Sequence, residues 1–583
     1  MYLWYNMVMA VVIPQTDLIL LKCPLEEDQQ NQLTFSNETA QYNYFNGLPK
    51  LSGGNDFTYQ RKDGRVRFNA DIEDIRDYNY CMYRNDAYSN KWFYAFITNM
   101  EYANDGVTFL TLKTDVWQTW QFQLIFKPSF VEREHVNSDG VGEHTVPENL
   151  DYGEYVANTS SSKVVVCRPG KDAYICMQVT NTTLASVNIG GQVLPTVAFP
   201  FEGHQMFTGI PQGCAIYAFD MSKPDELTLF RTIVRLYDYY GKGDAIVSIF
   251  IAPAFCSDWI EGTIQVSDHT GLDGTTLRVP DYSQVAKKKS LGTVPGYPNT
   301  TTISGYTPKN NKLFTYPYNY LYLSNDNGAD VIYHYEDFLN NTPQFMMYGA
   351  LEQGGSIFIA PTNSKKNRQA GDGNCWNEGI SLGKLPQISW TSNYYLNWQA
   401  VNASNVIVQT TLDAINWVGD IMGAFSPAAS SKKSGNMNMY KAEALAEGVS
   451  ASAGLGRNVA NTMQQIKQAK LVPDQAKGNI SAGSISFANA DYGYRWTNMC
   501  VRYEYAKMID DYFSMFGYKV NSLKTPNIRG RSNWNYVKTV ICNVIGNVPQ
   551  RDIEEIKDIF NEGITFWHNP STYLDYSQTN AIL

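Results

Sequence analysis

Glu132, Glu134 and His135 come nearest to a catalytic set in this chain. Two carboxylates and an imidazole are what general acid–base hydrolysis of a polymer such as peptidoglycan requires. On a strand, however, Glu132 and Glu134 share one face and His135 takes the other, so the three converge only if the strand bends. The expectation is a structural role for all three, no catalytic residue and no enzymatic activity. The nine cysteines are an odd number and contain no Cys-x-x-Cys pair, and the six histidines stand far apart with no His-Glu-x-x-His spacing. No metal ligand, cofactor site or disulfide framework is therefore expected, and free thiols fit assembly in a reducing cytoplasm.

The elements that would position such residues follow from composition and patterning. A chain of 583 residues exceeds one hydrophobic core and predicts two to four domains, some discontinuous in sequence. Only 17% of residues are charged, while 40 Tyr, 27 Phe and 12 Trp lift aromatics to 14%, a balance that favours strands with wet but adhesive faces. A net charge of −10 argues against gripping nucleic acid by phosphate neutralisation, yet suits a passage through which DNA slides without sticking. Met1 to Pro14 is apolar but lacks a basic n-region and is not read as a signal peptide. No uninterrupted apolar run reaches the roughly 20 residues of a spanning helix.

Strands are predicted at 17–23, 66–71, 91–102, 107–114 and 120–126, with the Asn104-Asp105-Gly106 turn closing a hairpin. In 91–102, Trp92, Tyr94 and Phe96 fall on one face and Phe93, Ala95 and Ile97 on the other, so both faces should be covered. Further strands are expected at 163–167, 173–179, 214–219 and 245–251, with a helix at 223–240 that turns Leu227, Phe230, Ile233, Val234 and Tyr237 inward. The stretch 287–312 reads as an exposed connection, followed by a strand with Tyr316, Tyr318, Tyr320 and Tyr322 alternating. Residues 412–425 are expected to form an amphipathic helix whose stripe is Ile415, Val418, Ile421, Met422 and Phe425, with a small-residue stretch following. Near the end, a helix at 502–516 should turn Met508, Ile509, Tyr512, Phe513 and Phe516 to one side and stop at Gly517. A strand at 536–543 alternates Val537, Thr539 and Ile541. A helix at 552–561 places Asp552 and Glu555 in capping-box spacing and Ile553, Ile556 and Phe560 inward. Strands from both termini could complete one sheet.

Several blocks carry a resemblance. They are Gln41-Tyr-Asn-Tyr-Phe-Asn46, Asn90-Lys-Trp-Phe-Tyr-Ala-Phe96, Asp115-Val-Trp-Gln-Thr-Trp120 and Ser129-Phe-Val-Glu-Arg-Glu-His-Val136. Towards the C-terminus they are Tyr492-Gly-Tyr-Arg495, Phe516-Gly-Tyr-Lys519, Lys524-Thr-Pro-Asn527, Asn535-Tyr-Val537 and Asn561-Glu-Gly-Ile-Thr-Phe-Trp-His568. In order and spacing they resemble the tail knob proteins of small Bacillus podoviruses, short-tailed phages that prime DNA replication with a terminal protein. The match is densest over 15–136 and 484–570.

The resemblance implies a mainly β, multidomain fold with α+β elements, in which the terminal regions form a β-barrel tube domain within a homohexameric ring. It implies a virion tail protein, assembled in the host cytoplasm, that conducts viral DNA without sequence-specific binding and contacts other tail proteins. A long late loop would plug the lumen and leave it to breach the host cytoplasmic membrane. The matching stretch is 412–483, with Leu412, Ile415, Trp417, Val418, Ile421, Met422 and Phe425 as its plug or membrane-active residues. The expected division is 1–136 and 484–583 as the two parts of the tube domain, 137–285 as an inserted α+β domain, 286–411 as a distal β region and 412–483 as the plug. The competing reading is a tail receptor-binding protein that recognises cell-wall glycan through exposed aromatics with Asn and Asp partners. It would have no need of a plug.

Overall fold

The architecture comes from a computed structural model. It describes residues 15–391 and 476–583, apart from 55–56, 58–60, 62–63, 86–88, 159–161, 169, 181–182, 187, 190–191, 194, 201–205, 208–209, 212–214, 240–242, 268–271, 282–286, 294–301, 350, 352–354, 367–377, 389, 478–481 and 490–491. All seven candidate plug residues, from Leu412 to Phe425, lie outside the described residues. The protein is mainly β and multidomain. It divides into two compact units interleaved in sequence: a terminal unit of Met1–Glu154, Thr301–Tyr318 and Val501–Leu583, and a central unit of Tyr155–Thr300 and Asn319–Cys500.

Among its described residues the terminal unit holds two large sheets and a two-stranded ribbon, Leu124–Phe126 with Val544–Gly546. The first runs Lys50–Ser52, Thr16–Leu21, Tyr80–Asn85, Trp92–Asn104, Val107–Thr114 and Arg65–Phe68, all antiparallel. Strand 92–104 is covered on both faces, as its patterning predicts. Tyr94 and Phe96 pack with Tyr80 and Phe45, whereas Phe93 and Ala95 join a second cluster with Leu110, Trp117 and Phe560. Phe45 stacks on Tyr80 with ring centroids 5.6 Å apart. Gly106, at φ 71, closes the expected hairpin, since that backbone is free only for a residue without Cβ. The predicted strand at 120–126 is instead a short helix, Val116–Trp120, followed by strand Leu124–Phe126. The cause is local: Asp115 caps that helix by accepting from Gln118 N–H at 3.0 Å.

The second sheet runs Asn31–Leu33, Ile564–Trp567, Trp534–Ile541, Ser129–Glu134 and Tyr518–Lys524. Only the first pair is parallel. Strands from both ends of the chain thus share one sheet, as expected. Helix Tyr503–Phe516 ends at Gly517, but its inner face is Ala506, Ile509, Asp510 and Phe513, and Met508 is exposed. Helix Gln550–Glu562 turns Ile553, Ile556 and Phe560 inward as predicted, yet it has no capping box. It starts earlier, after Pro549, and the Asp552 carboxylate goes instead to Arg61 at 2.6 Å and to Trp120 Nε1 at 2.7 Å.

In the central unit a six-stranded antiparallel sheet orders Trp259–Thr263, Thr276–Pro280, Ala215–Asp220, Ala173–Val179, Ile246–Pro253 and Gln387–Ile388. Helix Pro224–Tyr239 lies with it, burying Phe230, Ile233, Val234 and Tyr237. Two expectations fail here. Lys287–Thr293, expected to be an exposed connection, is a strand paired with Gln344–Gly349 across a bulge. The tyrosine ladder is interrupted because Pro317 has no N–H to give, so only Tyr320 and Tyr322 lie on strand Asn319–Ser324. No helix among the described residues is long and apolar enough to cross a membrane.

Candidate functional site

The second sheet of the terminal unit brings together most of the sequence blocks singled out above. Glu134 is fully buried and accepts from Lys524 Nζ and from Asn527 N–H at 3.0 Å, while Asn527 Nδ2 donates to His135 O at 2.7 Å. Gly517 presses its backbone on the same strand. At φ 64 and ψ −154 it occupies a region open essentially to glycine, and a Cβ there would stand 2.1 Å from Glu134 O.

His135 Nδ1 accepts from Tyr536 N–H at 2.7 Å, so Nε2 carries the proton and donates to Ser514 O at 3.1 Å. Complete burial, with help from the charges of Arg531 and Arg133, pulls its pKa down to about 3 and keeps the ring neutral. His568 sits between Asn535 Oδ1, at 3.0 Å, and Thr34 Oγ1, at 2.7 Å, and burial lowers it to about 4. Glu132 pairs with Lys538 at 3.1 Å near the surface. The three residues that invited a catalytic story are therefore occupied as fasteners between chain segments about 400 residues apart.

A second fastener is the Glu148 carboxylate. It accepts from Arg133 Nη2, from Lys312 Nζ at 2.7 Å and from Lys519 N–H at 2.9 Å, all in the interior. A third is Asp115, fully buried, which accepts from Tyr80 OH at 3.0 Å and Gln32 Nε2 at 3.2 Å. With no cation beside it, burial pushes its carboxyl up to about 6. Among the described residues no cluster of His, Cys, Asp and Glu could hold a metal. The described cysteines are all buried free thiols, and Cys214 and Cys375 lie outside the described residues.

One end of this sheet carries what sequence patterning missed. Leu523 and Ile541 are both register partners of Phe130, so the three side chains form a row on one face, and Leu523 and Ile541 are 73% and 69% exposed. In the separate two-stranded ribbon, Ile125 and Ile545 pair with each other and are also exposed. Alternation groups Ile541 with Val537 and Thr539, both of which are buried. A bulge between Thr539 and Ile541 rotates it out, and such an insertion leaves no mark in the hydrophobic period.

The comparisons with known proteins place this mainly β, multidomain chain among the structural proteins of the phage tail. Residues 281–581, more than half of the chain, match the family described as Bacillus phage phi29 tail knob protein gp9, C-terminal domain, and the chain belongs to that family. Residues 15–125 match the caudoviral major tail protein N-terminus. Among relatives, tail knob protein gp9 of Bacillus phage B103 is 26% identical across 98% of this chain and 99% of its own. The corresponding protein of Bacillus phage phi29 is 26% identical across 97% and 98%. The solved tail knob protein gp12 of bacteriophage C1 superposes with a TM-score of 0.62 over 97% of this chain and 100% of its own at 14% identity, a likeness of fold.

Proposed function

We propose that this chain assembles into a homohexameric ring whose terminal units close a β-barrel wall around a bore, forming the distal tail tube that conducts viral DNA during ejection. The stretch 412–483 plugs that bore and, once released, engages the host membrane. The observation that carries the reading is the exposed row Leu523, Phe130 and Ile541, set beside an edge strand, 518–524, with no further strand on its outer side among the described residues. Edges of this kind are completed by another strand or covered. Burying each of the three side chains against a neighbouring copy contributes about 1.5–3 kcal/mol. The net charge of −10 suits a lumen that gives phosphates nothing to hold. The protein acts without catalysis, since Glu132, Glu134 and His135 already have fixed partners.

Mass photometry of the purified chain, followed by negative-stain electron microscopy, tests this. Six-fold rings with a blocked bore are expected. The double substitution Leu523→Asp with Ile541→Asp should release single chains while shifting stability by less than about 1 kcal/mol, because both side chains are exposed. A single chain or trimer in the unsubstituted protein, with no bore, would instead favour receptor binding.

A further inference from the structure

The terminal unit holds a partly open cavity of about 550 Å³, with the His135 fastener at its wall. That volume is within the range of small-molecule pockets, about 300–1,000 Å³. Residues 576–582 of the C-terminal segment form one wall, and Arg531, Lys309, Asp139, His135 and Trp534 contribute to the rest.

Among these, Arg531 is out of balance. Its Nε is sealed from solvent with no acceptor, and its guanidinium makes one long hydrogen bond, from Nη1 to Asn580 O at 3.4 Å. No carboxylate among the described residues comes within ion-pairing distance of it. Asp139 shares the cavity, but both its oxygens are spent, one on Tyr518 OH at 2.7 Å and the other on Asn311 N–H at 2.9 Å. His135 is neutral with both ring nitrogens bonded. Lys309, exposed at the rim, leans on Asp511 only at 3.9 Å. Asp139 acts on this partly buried guanidinium through its charge and not through a hydrogen bond, which leaves N–H groups available, and a guanidinium offers parallel N–H groups that match the two oxygens of an oxyanion.

We infer that this cavity is a binding site for a small polar molecule bearing one singly charged oxyanion, a carboxylate or a phosphodiester, held by the Arg531 guanidinium with Lys309 at the entrance. The remaining wall is polar: Ser577 and Gln578 donate to Asp575, and Thr579 O and Asn580 Oδ1 accept from Ser532 and Asn533, so these groups shape the site and leave the cation to choose the ligand.

Saturation-transfer NMR on the full-length protein tests the site, with methyl glucuronide and dimethyl phosphate as charged probes and methyl glucoside and trimethyl phosphate as neutral counterparts. At least one charged probe should give a saturable signal and the neutral ones none. Arg531→Gln should weaken that binding about tenfold, the worth of a charge-assisted hydrogen bond, while Arg76→Gln at the surface should leave it unchanged. Should Arg531→Gln fail to fold, Arg531→Lys keeps the charge and loses the fork, and must still bind measurably less. Equal signals from charged and neutral probes, no saturable signal, or undiminished binding in the Arg531 variant would each overturn the assignment.

Discussion

His135 and His568 each lose their charge to burial, so each makes the fold sensitive to acid. Their folded pKa values, about 3 and about 4, lie below the ordinary 6.5, so the unfolded chain binds more protons between those limits. Stability from these groups is full above pH 6.5 and drains away as pH falls towards the folded values. Over the full window the loss is roughly 3–5 kcal/mol for each. Asp115 works the other way. Its folded pKa, about 6, exceeds the ordinary 3.8, so its contribution is most favourable below pH 4 and fades as pH rises through 6. Between pH 6.5 and 4 the two histidines outweigh the single carboxyl. The melting temperature should therefore fall from pH 7 to pH 5, and His568→Gln should flatten that dependence. An unchanged slope in the variant would remove the histidine from the account.

Gly517 ends one helix and lets the next strand begin, and both depend on its lack of a side chain. Gly517→Ala combines a forbidden backbone region with a Cβ driven into Glu134 O, so a loss of more than about 2 kcal/mol is expected by urea denaturation. Retention of near-normal stability would mean that the strand containing Glu134 can move aside, which its ties to Lys524 and Asn527 argue against. The opposite case is the bulge at Thr539 and Ile541, where one extra residue turns an apolar side chain to the outside and adds it to the exposed apolar row.

At the scale of the molecule, the chain leaves the terminal unit and returns to it, and the terminal sheet closes only when residues beyond 500 meet those before 140. Truncation at either end thus removes strands that the other end needs to complete one sheet. The proposed plug is tested apart from that sheet. A peptide covering 412–429 should release dye from liposomes, because its apolar stripe is wide enough to lie in the interface though too short to span it. Intact vesicles at both neutral and low pH would remove the membrane role and leave plugging alone.

By itself the sequence determined what is local. The hairpin at Gly106, the helix stop at Gly517, the two-sided burial of strand 92–104 and the inward faces of helices 224–239 and 550–562 follow from turn chemistry and hydrophobic period, which act over a few residues. The blocks that carried the resemblance were legible as words. Their purpose was not, because Glu134 to Asn527 and His135 to Tyr536 are contacts across about 400 residues. Only tertiary structure could decide that Asp552 pairs with Arg61 and does not cap its helix, that Lys312 is buried on Glu148, and that Ile541 faces outward. Each of these depends on what a distant segment offers in hydrogen bonds, charge or register, and none of that is present in the local pattern of residues.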